Sequence, residues 1–450
     1  MRFPRPSELP WQRPRRELLL LSLVAAAALS VVYPVGAQDV SRMCLTRSLA
    51  HGHLAADQCL VGSVDHASYG GHLYSDKAPG LSALALPVAE LTGLRAPAAW
   101  HHNGDLRLWA ARVATGGLAL LLCAFLLGRI GEGLVPGTGG ATLVAFALGT
   151  EVAALAVDNF EHVPAAALAF SAFVLAWGRR PLAAGLVAGV AVLVEYEAGL
   201  VALVVGAYVL LSGGRALGRY ALGVAPAALL LGAYDNAAFG SPLHLSYRYV
   251  ANQFAAQQAS GFFGIHAPTS HAARLVLVGD RGLLFDSPFL FAAACGLVLL
   301  ARKLGPEIAV CGVIALAFLA LDIGYFDPYG GDSPGPRFLV PALPFLTLGL
   351  PAAFRRFRVP TAALVAASVV ASTSIALTWP AAVNAAPGYQ HTVWRRLDEL
   401  VRHGSAAPLA TWAQRNVLDW VGVQPFGAFV LVFALALVAA AVSFAELRRV

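Results

Sequence analysis

Charge is what this chain has least of. Only 12% of its 450 residues are Asp, Glu, Lys or Arg, against 58% that are hydrophobic. That balance excludes a water-soluble globular domain, because too little polar surface is available to cover the apolar bulk. Lysine is almost missing: Lys77 and Lys303 are the two in the chain, and arginine carries the rest of the positive charge. Internal repeats, heptads and low-complexity tracts are lacking, which counts against a transporter built from two related halves. Cysteine is sparse, with five residues. Cys123, Cys295 and Cys311 fall within apolar runs, while Cys44 and Cys59 share the first polar stretch. Their spacing fits either a disulfide or two unpaired thiols.

What the chain does have is apolar runs, near 18–35, 108–128, 141–157, 165–177, 182–194, 198–211, 220–233, 283–300, 308–323, 338–353, 361–377 and 426–444. Hydrocarbon offers backbone amides no partner, so such runs read as helices. The expected fold is an all-α polytopic membrane protein with about twelve spans, occupying 18–446 between a basic segment 1–17 and a short tail 447–450. The formal charge is +6, but the arginines are scattered at the ends of apolar runs, a pattern of topology signals and not of nucleic-acid binding.

From a cytoplasmic start, alternating spans put Arg129, Arg179, Arg180, Arg215, Arg219, Arg302, Lys303, Arg355, Arg356 and Arg358 inside, as do both termini. The long loops 36–107, 234–282, 327–337 and 379–425 then lie outside, with most acidic residues and all twelve histidines. Groups able to do acid–base work are thus expected on the outer face of a plasma (inner) membrane.

Asp39 follows the first span directly and opens a stretch that reads as a surface helix with Val40, Met43, Leu45 and Leu49 on its apolar side. Apolar surroundings would make Asp39 a general base; an N-cap is the structural alternative. Asp76 and Lys77 precede a Pro-Gly turn and an apolar segment short for a span, which fits an interfacial or re-entrant helix. Lys77 suits a phosphate oxygen, or a snorkelling anchor.

With DNFEHVPAAALAF, the EYEAG turn, FGSPLHLSY, GFFG, RGLLFDSP and GGDSPGPRFLVPALPFL, these motifs resemble the GT-C superfamily of membrane glycosyltransferases, in particular the bacterial protein O-mannosyltransferase and aminoarabinose transferase branch. The acid after the first helix, the surface helix and the Lys-Pro-Pro-like turn correspond to Asp39, residues 40–51 and Lys77-Ala78-Pro79-Gly80. Two positions depart from the pattern: Gln38 stands where many relatives carry a second acid, and Ala78 replaces the first proline.

The resemblance implies inverting transfer of a hexosyl or pentosyl unit from a polyprenyl-phosphate donor to a lipid, glycan or protein acceptor. Asp39 would be the base, and Lys77, Arg281 and Arg337 would meet the donor phosphate. Asp76, Glu161, His162, Glu195 and Tyr247 are expected substrate contacts, against helix-end solvation for Glu161, His162 and Glu195 and interfacial anchoring for Arg337. No cofactor is expected, with a divalent metal as an alternative that ligand spacing does not support. His51 with His53 and His101 with His102 lack further ligands at metal spacing. A transporter or flippase of a lipid-linked glycan, which would draw on Glu151 and Asp322, is the alternative, with a non-catalytic binding protein behind it.

Overall fold

The computed structural model describes residues 14–33, 35–94, 106–331, 333–378, 393–403, 415–423 and 425–447. His101, His102, most of the 379–425 loop and the ends of the chain lie outside them. The fold is almost wholly helical, with two short antiparallel pairs: Val31–Val32 with Arg415–Asn416, and Ala67–Tyr69 with His72–Tyr74. The second is a hairpin turning on Gly70 and Gly71, both at positive φ (60° and 83°), the left-handed pair that a tight hairpin demands.

Helices Leu106–Leu134, Gly214–Phe239, Gly305–Gly324, Arg358–Thr378 and Gly427–Leu447 are long and apolar enough to cross a membrane. Two bent pairs, Ser270–Asp286 with Phe289–Leu300 (89°) and Arg337–Thr347 with Leu350–Arg356 (53°), bring the number to seven if each is one span. The remaining apolar helices, among them Gly139–Leu148, His162–Trp177, Pro181–Val194 and Ala198–Leu210, are shorter. Phe146, Phe170, Phe173, Phe345 and Phe354 are fully buried at the centre. Leu203, Leu211, Leu229 and Val298, by contrast, are largely exposed. An apolar exterior is the expected surface for a chain solvated by lipid.

Several elements differ from the sequence reading. The run 141–157 is two helices, Gly139–Leu148 and Val152–Leu155, with Glu151 buried at the break between them. Helix Gly214–Phe239 continues six residues past 233, so the next loop starts at Gly240. The first long polar stretch folds into Ala37–Ala50, Asp57–Leu60, the Gly-Gly hairpin and Gly80–Thr92. A disulfide between Cys44 and Cys59 ties the first two together, resolving the two readings of that pair.

Gly80 seats the turn that carries Lys77: a Cβ there would stand 2.7 Å from the backbone nitrogen of Val194. Only glycine lets the Gly80–Thr92 helix begin against the end of Pro181–Val194.

Candidate active site

The Ala37–Ala50 helix is sewn in place by polar side chains. Asp39, in its first turn, accepts the Gly36 N–H at 2.8 Å, the capping role foreseen for it. It does more than cap. Arg112, on the Leu106–Leu134 helix, grips both its oxygens, with Nε at 3.0 Å and Nη2 at 2.6 Å. Asp39 is 0% exposed and Arg112 1%. The apolar surroundings expected for Asp39 are therefore replaced by a fork-to-fork ion pair, and Asp39 does not line the cavity described below.

One helical turn on, Arg42 is also fully buried and pairs with Glu161 and with Gln38 Oε1. Burial would raise the Glu161 carboxyl, but the Arg42 guanidinium beside it wins and holds it down at about 2. Behind this pair, His162 Nδ1 meets Glu195 Oε1 at 2.6 Å, both side chains buried.

These pairs back a cavity of about 1000 Å³. Lys77 enters it from the turn before Gly80, with Nζ 3.0 Å from Asp76 and 3.6 Å from Asp65. Gln38 donates to the same Asp65 oxygen at 2.9 Å, and Ser41 to Asp76 at 3.3 Å. Burial works against the Lys77 ammonium, yet Asp65 and Asp76 more than offset it and raise its pKa. Asp65 and Asp76 converge on this ammonium, and no group of three His, Cys, Asp or Glu suited to a metal forms among the described residues.

Asp158 also faces the cavity, from the turn before the His162–Trp177 helix. Its Oδ1 lies 3.7 Å from the same Arg112 nitrogen that holds Asp39. Burial and the nearby Asp39 charge raise the Asp158 carboxyl to about 6, against the pull of Arg112. A carboxylate with that pKa, open to a cavity, is suited to take a proton near neutral pH.

Arg337 lines the cavity too, its guanidinium 4.7 Å from the Phe160 ring centre and its Nε without a hydrogen-bond partner. Tyr247 stands opposite, edge-on to Tyr196 at 5.2 Å.

Of the residues singled out from sequence, Asp76, Lys77, Glu161, Arg337 and Tyr247 thus share one cavity. Asp39, His162 and Glu195 stand behind its wall. Arg281 is elsewhere: it donates to the Ser333 carbonyl at 2.9 Å and stacks on Tyr329 at 4.3 Å, so it braces the loop before Arg337 and does not reach the cavity. Sequence reasoning passed over Asp65, Asp158 and Glu197, which line the cavity, and Arg42 and Arg112, which hold it. Asp158 opens the DNFEH motif and Arg42 lies one turn beyond Asp39, so both carried a local signal. Arg112 carried none beyond being an arginine within an apolar run, a placement that calls for a partner.

No protein-family model matches the chain, and no curated protein is similar to it in sequence. Solved structures do match. ArnT from Cupriavidus metallidurans bound to undecaprenyl phosphate superposes with a TM-score of 0.56 at 15% identity, over 97% of this chain and 77% of that one. The apo form of the same protein gives 0.52 at 16%, over the same shares. The chain therefore shares the fold of these ArnT structures, in line with the resemblance that its motifs carry.

Proposed function

We propose that this chain is a glycosyltransferase that moves a sugar from a polyprenyl-phosphate donor to a hydroxyl acceptor outside the cytoplasm. One observation carries the proposal: Lys77, a buried cation in the turn before an interfacial helix, and Asp158, a carboxylate with a pKa of about 6, face the same cavity. The solved relative of this fold that binds undecaprenyl phosphate supports the donor class. In this reading the shorter helices also cross, giving about twelve spans in a plasma membrane with both termini cytoplasmic. The polyprenyl tail follows the aliphatic wall of Leu200, Leu203, Ala317 and Leu321 into lipid.

The chemistry is a single displacement. The acceptor oxygen attacks the anomeric carbon as its proton passes to Asp158. The bond from that carbon to the phosphate oxygen breaks with inversion, and polyprenyl phosphate leaves with the bonding pair. Lys77 and Arg337 take up the charge that grows on the phosphate. Asp39 acts through Arg112: it occupies the guanidinium that would otherwise pair fully with Asp158 and hold its pKa low.

The test is transfer of labelled sugar from a panel of polyprenyl-phosphate sugars, in membranes holding equal amounts of wild type or Asp158→Asn. We expect wild-type transfer to fall by roughly 10²–10⁴-fold in the variant. No transfer from any donor by a wild type that still binds polyprenyl phosphate would point to a carrier or binding protein instead.

A further inference from the structure

The cavity has a second wall unlike the aliphatic one. Residues 252–263 and 325–327 face it with Gln253, Phe254, Phe262, Phe263, Tyr325 and Phe326. These rings are not packed away as a core would pack them: Phe262 is 72% exposed and Phe254 37%. They are nonetheless held firmly. Buried Gln258 accepts the Tyr325 hydroxyl at 2.9 Å and donates to the Phe263 carbonyl at 3.1 Å. Phe262 and Ile265 exchange both backbone hydrogen bonds, each 3.1 Å, and Phe326 N–H reaches the Gly264 carbonyl at 3.0 Å.

Phe263 sits at φ +52°, a left-handed conformation that a bulky residue keeps only when its surroundings enforce it. Ring centres 6.3 Å apart for Phe254–Phe326, 4.5 Å for Tyr325–Phe326 and 5.0 Å for the edge-on pair Phe262–Phe263 gather aromatic rings on one side of the cavity.

The chemistry of this wall selects among acceptors. An acyl chain needs only aliphatic contact, which the opposite wall supplies. An extended peptide that adds to a sheet edge needs unpaired backbone groups, but the N–H groups of Phe262, Gly264, Ile265, His266 and Phe326 are already bonded within the protein. A sugar ring presents a face of polarised C–H groups to the electron-rich face of an aromatic ring, and hydroxyls around its edge to amides and carboxylates. Exposed Gln253 and nearby Asp327 supply that edge.

We infer that residues 252–263 and 325–327 form an acceptor subsite that binds carbohydrate, so that the attacking hydroxyl belongs to a glycan. The inference rests on the transferase reading above and adds the acceptor class to it.

The test uses full-length protein in lipid nanodiscs and two separate bindings: polyprenyl phosphate, and labelled oligosaccharides from a mixed panel, each with wild type, Phe254→Ala, Phe262→Ala and Phe262→Tyr. Phe262 is largely exposed, so its replacement disturbs the packing little, whereas Phe254→Ala gives up the contact with Phe326. We expect at least one oligosaccharide to bind wild type, to weaken by about five- to tenfold in each alanine variant, and to be restored by tyrosine. Polyprenyl phosphate binding should stay unchanged in all of them. Wild type that takes polyprenyl phosphate but no oligosaccharide overturns the subsite and leaves the transferase reading standing. Oligosaccharide binding indifferent to both alanines overturns it as well. Failure of wild type to bind polyprenyl phosphate counts against the transferase reading, whatever the oligosaccharides do.

Discussion

Two sets of charges meet at the Ala37–Ala50 helix, and they behave differently. Asp39 with Arg112, Arg42 with Glu161, and His162 with Glu195 are closed pairs, each partner buried and directly opposed. Lys77, Asp158 and Arg337 open into the cavity; Lys77 is shared between Asp76 at 3.0 Å and Asp65 at 3.6 Å, and Asp158 lies 3.7 Å from Arg112. A closed pair satisfies itself and fixes geometry. An open charge keeps capacity for a substrate. Arg112 belongs to both sets, since a single nitrogen serves Asp39 at 2.6 Å and Asp158 at 3.7 Å. The difference teaches that the acid nearest the first span is not by that fact the acid that reacts.

This comparison can be broken by removing members of each set. Arg112→Ala leaves Asp39 buried without a counter-charge, and we expect a loss of about 3–5 kcal/mol in stability, read as thermal unfolding in detergent. Adding Asp39→Asn should recover part of that loss, since the orphaned charge is then gone; no recovery would mean that the pair is not closed as described. Cys44→Ser with Cys59→Ser opens a 15-residue separation and should cost about 3 kcal/mol, with weaker donor binding because the segment that carries Asp65 follows Cys59. Lys77→Gln, in the open set, leaves Asp76 and Asp65 without their shared cation and should cost about 1–3 kcal/mol in stability, while raising the donor KM about ten- to a hundredfold.

The sequence was most legible where a single physical rule decides. Lipid as solvent makes apolar runs helical, and the runs that became Leu106–Leu134, Gly305–Gly324 and Arg358–Thr378 are found where composition puts them. It was least legible where a side chain interrupts a run, as Glu151 does, because a buried acid inside an apolar stretch has no fixed consequence for the backbone. At the site, the turn that carries Lys77 could be read from its Pro-Gly and from the scarcity of lysine. The role proposed for Asp158 could not. It depends on Arg112, 46 positions away in the chain, and on how that guanidinium divides itself between two carboxylates. Arg281 failed for the converse reason: a guanidinium beside a loop finds carbonyls as readily as phosphate, and the Ser333 carbonyl took it.

The most direct test of the account is the pH dependence of transfer under single-turnover conditions for wild type and Asp39→Asn. Asp158 accepts a proton only when ionised, so wild-type transfer should fall as pH drops through about 6. Removing the Asp39 charge lowers the Asp158 pKa, by ending its repulsion and by freeing Arg112 to pair with Asp158. The acid limb should then move to lower pH while transfer persists. A variant that loses transfer at every pH, with Asp158→Asn still active, would make Asp39 the base and contradict the account.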